Sequence, residues 1–144
     1  MKTYNAKPGE IERRWYIVDA AGKPIGRTAS AIAMILMGKT KPTFTPNTDV
    51  GDFVVAINVG KAVLTGKKMK NKQYHHHTGW VGKLFSVSAE ELLETKPADM
   101  LKFAVEGMLP KSRLGKAMLK KLKVHAGACP AHGYTAQKAQ PLET

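Results

Sequence analysis

Two stretches of this chain are apolar without alternation, Trp15-Tyr16-Ile17-Val18 and Phe53-Val54-Val55-Ala56-Ile57. A strand with one wet face alternates apolar and polar residues, so these two must be covered on both faces. Between them Ala21-Gly22-Lys23-Pro24 has turn chemistry, after which Ile25, Ala29, Ile32, Ala33 and Leu36 recur at helical spacing and Gly38 supplies a stop. Met34, Ile35 and Met37 widen the apolar face, so this helix is expected to be mostly buried. Doubly buried strands joined through a buried helix make a βαβ unit, and with it a parallel sheet.

The rest of the chain adds smaller elements. Lys41-Pro42 through Pro46-Asn47 reads as a loop, Lys67 to Lys72 as a basic loop, and Tyr74 to Phe85 as a hairpin turning near Thr78-Gly79; the mixed segment from Val59 to Thr65 defines no element. Ser88 and Glu91 hold the reciprocal positions of a capping box, and Lys96-Pro97 breaks the helix it opens. Pro97 is placed to open another, with its face on Met100, Phe103, Ala104 and Met108 and its end at Gly107 and Pro110. A last helix is expected from about Arg113 to Leu122, and beyond Val124 the chain lacks periodicity and reads as an irregular tail. At 144 residues this is one domain's worth, with a core over about 13–124, an extension at 1–12 and the tail at 125–144.

Charge narrows the function. Twenty-three Lys and Arg against 11 Asp and Glu give +12, an excess that draws polyanions from solution. Its distribution is uneven: no acid occurs from Phe53 to Ala89, nor from Gly107 to Leu142. The first acid-free segment contains Lys67, Lys68, Lys70 and Lys72, followed by Tyr74, His75, His76 and His77, whose rings can lie against unstacked bases. The second contains Lys111, Arg113, Lys116, Lys120, Lys121 and Lys123. Arg113, Lys116, Lys120 and Lys123 are spaced three, four and three, one stripe of a helix, with Met118, Leu119 and Leu122 on another. A solvated helix face and a surface hairpin with incidental histidines are the plain alternatives; two acid-free basic segments in one small chain favour phosphate contact. Lys23 and Arg27 flank the expected start of the first helix, where a phosphate oxygen would also be welcome.

Other classes find little support. A single cysteine, Cys129, forms no internal disulfide, the N-terminus lacks the apolar stretch of a signal peptide, and the longest apolar run, Ala29 to Met37, is too short to span a bilayer. A soluble cytoplasmic protein is therefore expected. Gly38-Lys39-Thr40 imitates the end of a phosphate loop, but Ala33 stands where the first glycine is required and Met34 to Met37 fill the loop. His75, His76 and His77 are consecutive, so only two share a strand face, and His125, Cys129 and His132 lack a fourth ligand nearby; no metal or other cofactor is expected. The acids are scattered apart from Glu90, Glu91 and Glu94, so neither a nucleotide-using enzyme nor any small-molecule substrate is indicated. The basic helix also lacks the Trp/Phe/Leu face of a membrane-surface binder.

Several blocks carry a resemblance. Trp15-Tyr16-Ile17-Val18-Asp19 with Gly22-Lys23-Pro24-Ile25-Gly26-Arg27, Asp52 to Asn58, Leu64-Thr65-Gly66-Lys67-Lys68, and Val105 to Gly115 continuing through Leu119 to Val124 are similar, in order, to the bacterial large-subunit ribosomal protein L13 family. The resemblance covers roughly residues 13 to 128 and includes Gly107-Met108-Leu109-Pro110-Lys111 before Arg113-Leu114-Gly115. It implies a three-layer α/β/α domain around a small parallel sheet. It also implies a structural role: binding large-subunit ribosomal RNA beside neighbouring ribosomal proteins and assisting early assembly. Carried onto this chain, it points to Lys67, Lys68, Arg113, Lys116 and the Gly107-to-Lys111 turn as RNA-facing. Gly107, Pro110 and Gly115 are expected to let backbone approach RNA closely. The three consecutive histidines and the tail from Ala128 onward depart from the family pattern.

Overall fold

The computed structural model describes residues 4–128 and 139–142. The first strand, β1 (Trp15–Asp19), leads through the Gly22 turn into helix α1 (Ile25–Met37) and returns as β2 (Phe53–Ile57), parallel to β1 with Trp15 opposite Phe53 and Asp19 opposite Ile57. The Trp15 and Phe53 rings stack across the pair at 4.5 Å, supporting the register at the first residues of both strands. Helix α1 buries Ile25, Ala29, Ile32, Ala33, Ile35 and Leu36, and Gly38 ends it at φ 78°, a left-handed conformation that glycine adopts without strain. Met34 is 48% exposed, so the apolar face is narrower than its composition suggests.

After β2 a 3-10 turn at Val59–Lys61 and a parallel bridge between Pro24 and Val63 organise the segment that defined no element in the sequence. Lys68–Asn71 forms a short helix, α2, rather than a loop. A hairpin follows, β3 (Gln73–His77) against β4 (Leu84–Ser88), forming a separate two-stranded sheet. Ser88 caps α3 (Ala89–Thr95), its hydroxyl accepting from the Glu91 N–H at 3.2 Å. Helix α4 (Pro97–Met108) packs along α1, and α5 (Arg113–Lys120) leads into β5 (Leu122–Val124), parallel to β2.

The main sheet has the order β5-β2-β1-β6, every pair parallel. Helices flank it, as the βαβ pattern requires. Its last strand, β6 (Gln140–Pro141), pairs with Tyr16 and Ile17 of β1, so this part of the expected irregular tail is an edge strand. Proline is tolerated there because an edge needs fewer backbone donors, and the Leu142 N–H supplies the bond to the Ile17 carbonyl at 2.8 Å.

Three other expectations change. The buried face of α4 is Met100, Leu101 and Val105; Phe103 and Met108 are 48% and 43% exposed. Gly107 lies within α4 rather than ending it. Helix α5 stops at Lys120, which places Lys121 at the turn and Lys123 on a strand, so Lys123 does not continue the helical stripe.

Candidate nucleic-acid interface

The basic residues reach the surface from several elements. Lys67 and Lys68 open α2, Lys70 lies within it and Lys72 follows it; all four are exposed. Tyr74, next along the chain, is half-buried, its ring tilted against Phe103 at 6.0 Å with the Lys72 ammonium 5.0 Å from the ring centre. The ring is thus already engaged on two sides, unlike the freely stacking ring the sequence suggested. His75, His76 and His77 are exposed on β3, where His75 Nδ1 lies 2.7 Å from Ser86 Oγ on the facing strand.

These elements meet in a groove. Ile25 and Gly26 of α1, Leu64, Lys67, Lys68 and Lys72 around α2, Tyr74, and Ala104, Gly107 and Met108 of α4 surround a volume of about 720 Å³, and no acid among the described residues lines it. Its lining combines the apolar groups of Ile25, Leu64, Ala104 and Met108 with the ammonium groups of Lys67, Lys68 and Lys72. On one side the groove runs past Gly26 to Arg27, which is exposed and shares a smaller depression with Thr65 and Lys68. On the other side, across Gly107, lies a second groove of about 340 Å³ between α4 and α5, bordered by Phe103, Glu106, Pro110, Lys111 and Lys116. The exposed apolar residues of α4 therefore face these two grooves instead of the core. Lys23 is half-buried near the start of α1.

Helix α5 presents its charge outward. Arg113, Lys116 and Lys120 are exposed while Gly115 and Met118 are buried, and the Ser112 hydroxyl caps the helix by accepting from the Gly115 N–H at 3.2 Å. Lys111 and Pro110 are exposed at the turn before it, and Lys123 is exposed on β5. Gly115 serves the fold rather than a ligand: a side chain there would land on the Pro110 carbonyl oxygen, so its absence lets α5 close against that turn. Gly107 and Gly26 differ. Both are helical, and a Cβ at either would meet nothing within 4 Å among the described residues. A helical glycine is about 0.5–1 kcal/mol worse than alanine, and nothing within the described residues requires it at these two places.

Lys121 is turned inward, contrary to the sequence expectation that it belongs to the basic surface. It is 5% exposed, with Nζ donating to the Leu36 carbonyl at 3.2 Å and paired with Asp49 Oδ1. Burial pulls its pKa below the usual lysine value, an effect that the bond to Asp49 only partly offsets. A second pair lies nearby. Lys41 Nζ donates to the Glu12 carbonyl at 2.7 Å, the Val50 carbonyl at 3.1 Å and Asp52 Oδ1 at 2.6 Å, while the Arg14 N–H also donates to that oxygen at 2.8 Å. Gly51 lies between these two acids, and a side chain there would strike the Leu36 carbonyl. These two lysines anchor the 49–52 segment; they are structural cations.

Sequence reasoning passed over Trp80, Val81, Leu84 and Phe85. They are 73%, 93%, 59% and 56% exposed at the outer end of the hairpin, where Gly79 and Gly82 turn with positive φ. The available signal was Gly79-Trp80-Val81-Gly82, large apolar residues held in turn chemistry with no strand partner. Among the described residues no group of three or more His, Cys, Asp or Glu is placed to hold a metal ion; Cys129 and His132 lie outside those residues. No helix among them is long and apolar enough to cross a membrane.

Fold and surface together define a parallel α/β protein that presents a broad cationic, groove-bearing face from α1, α2, α4 and α5. Its family follows from comparison. The model of the family described as Ribosomal protein L13 matches residues 13–130, and the chain belongs to that family. It is 51% identical over 143 residues to the large ribosomal subunit protein uL13 of Alkalilimnicola ehrlichii, covering 99% of each chain. To the proteins of the same name from Caldanaerobacter subterraneus subsp. tengcongensis and Francisella philomiragia subsp. philomiragia it is 53% and 54% identical, covering 99% and 97% of each chain.

Proposed function

We propose that this protein is a structural constituent of the large ribosomal subunit. It binds large-subunit ribosomal RNA through its cationic face, sits beside neighbouring ribosomal proteins in the cytoplasmic ribosome, and assists early subunit assembly. It catalyses no reaction. The observation that carries the RNA-binding surface is the convergence of basic residues from α2 with the start of α1 and the end of α4 on one groove whose lining, among the described residues, holds no acid.

The chemistry is neutralisation. Each lysine or arginine that meets a phosphate releases condensed counterions, and a rigid α/β core holds several such contacts at fixed mutual distances. Lys67, Lys68, Lys70 and Lys72 serve one segment of RNA. Lys111, Arg113, Lys116 and Lys120 serve another, with Lys123 alongside, and Arg27 and Lys23 extend the first surface. His75, His76 and His77 supply exposed rings on the hairpin.

The test is charge reversal on the exposed face of α5. A chain carrying Arg113→Glu, Lys116→Glu and Lys120→Glu keeps the circular dichroism and melting cooperativity of the parent, because all three side chains are exposed. On a sucrose gradient of cell lysate it stays at the top, whereas the parent migrates with the large subunit. Normal incorporation of the folded triple variant would remove α5 from the RNA-binding surface.

A further inference from the structure

The second groove, between α4 and α5, differs in charge from the rest of the cationic face. Among the described residues no acid lines the α2 groove or the depression beside Arg27. Here Glu106 stands on the α4 wall, with Lys116 on the α5 wall and Lys111 in the turn between the helices. Glu106 is the last acid before the acid-free stretch 107–142. Its side chain is exposed, and Lys102, one turn earlier on α4, pairs with Asp99 at 3.5 Å. The Glu106 carboxylate has no ion pair or hydrogen bond among the described residues. Beside these charges the lining is apolar, from Phe103, Leu109, Pro110 and Leu119.

That combination selects the occupant. A phosphate entering this groove meets a carboxylate, so the α4 wall repels RNA where the α2 groove attracts it. An unpaired carboxylate beside apolar side chains suits a polypeptide that carries one arginine or lysine among apolar residues. Its cation meets Glu106 and its apolar side chains cover Phe103, Leu109 and Leu119, while Lys111 and Lys116 on the other borders disfavour a second cation. We propose that this groove seats such a segment of a neighbouring ribosomal protein. The outward side chains of α5 still serve RNA, and the groove is the point on that face where protein meets protein. The inference rests on the reading above that the chain sits in the large subunit beside neighbouring proteins, and it adds the place and the chemistry of one such contact.

The test uses the full chain and intact large subunits. Glu106 is exposed, so Glu106→Lys shifts the melting temperature of the free protein by no more than about 2 °C. In competition with the parent for incorporation, Glu106→Lys is under-represented by about fivefold, because an ion pair is lost and a repulsion replaces it. RNA in the groove predicts the opposite sign, since the new cation would attract phosphate. Parity or over-representation of Glu106→Lys therefore overturns the proposal. A photoreactive phenylalanine analogue in place of Phe103, irradiated within purified subunits, identifies the occupant. The expected adduct is to a ribosomal protein segment with a lysine or arginine next to the attachment site. An adduct to ribosomal RNA, an adduct to a protein segment without a cation, or no adduct at all refutes the protein seat. The parent chain keeps the two levels of the claim apart. Its absence from the large subunit would refute the underlying reading, whereas its presence there together with any of those adverse results removes the protein seat alone.

Discussion

Adjacent lysines at the end of α5 have opposite environments, and replacing each with methionine should separate their roles. Lys120 is exposed, so Lys120→Met changes stability by no more than about 0.5 kcal/mol. Lys121 is 5% exposed, and Lys121→Met keeps most of its apolar stem but removes the ammonium from Asp49 and from the Leu36 carbonyl. Among the described residues, Asp49 then keeps the hydrogen bond from the Gly51 N–H, at 3.3 Å. Breaking one side of a buried ion pair costs about 3–5 kcal/mol, and the 17% exposure of the Asp49 side chain places this case near the bottom of that range. For a chain of 144 residues a loss of about 3 kcal/mol lowers the melting temperature by about 10 °C. Adding Asp49→Asn to Lys121→Met should recover part of the loss, since no unpaired carboxylate is then left behind. The pH dependence has a defined sign. The folded pKa of Lys121 lies below its ordinary 10.5, so between the two values the unfolded chain holds a proton that the folded chain has released. Stability from this group rises with pH across that window, and Lys121→Met lacks the rise, so the gap between parent and variant widens there. Thermal and urea unfolding followed by circular dichroism measure both effects. Equal stability of Lys121→Met and Lys120→Met would refute the assignment of Lys121 as a structural cation.

Two further outcomes follow from local geometry. Gly115→Ala should destabilise the protein by about 1–3 kcal/mol despite alanine's better helix propensity, because the new methyl meets the Pro110 carbonyl and pushes α5 off the preceding turn; urea unfolding reads the loss. Asp19 accepts from the Ala21 N–H and the Asn58 amide, both at 3.0 Å, and those bonds, with a smaller contribution from nearby Lys23 and Lys61, hold its pKa below 3.8. Its stabilisation is present above that value and is lost as pH falls through the lowered one, so Asp19→Asn should flatten that part of the acid-unfolding curve.

How much was legible in the chain depended on whether the cause was local. The β1-α1-β2 unit was readable because strands buried on both faces advertise themselves as uninterrupted apolar runs, and Gly38 ends α1 as a left-handed cap. The Ser88 cap and the hairpin were readable for similar reasons. Helix α4 was half readable: Met100 was placed in the core, but Phe103 and Met108 each face one of the two grooves, and periodicity alone does not say which apolar residues are covered by protein. Strand β6 carries no apolar run at all, only backbone pairing to an edge. For the surface, the exposed Lys67, Lys68, Arg113 and Lys116 were evident from the acid-free runs. Lys121 was not, because its burial depends on Asp49, 72 positions earlier in the chain. The bare helical glycines were equally opaque, since whether a missing side chain is needed inside or outside depends on neighbours distant in sequence.

The central claim, that the α1-α2-α4-α5 face is covered by RNA, is tested most directly by lysine reactivity inside the particle. Free protein and intact large subunits would be treated with an acetylating reagent and modification of each lysine read by mass spectrometry. The account predicts that Lys67, Lys68, Lys72, Lys116 and Lys120 react in the free protein and are shielded in the subunit, that nuclease digestion restores them, and that Lys121 is slow to react in both. Unchanged reactivity of those five lysines on incorporation would contradict it.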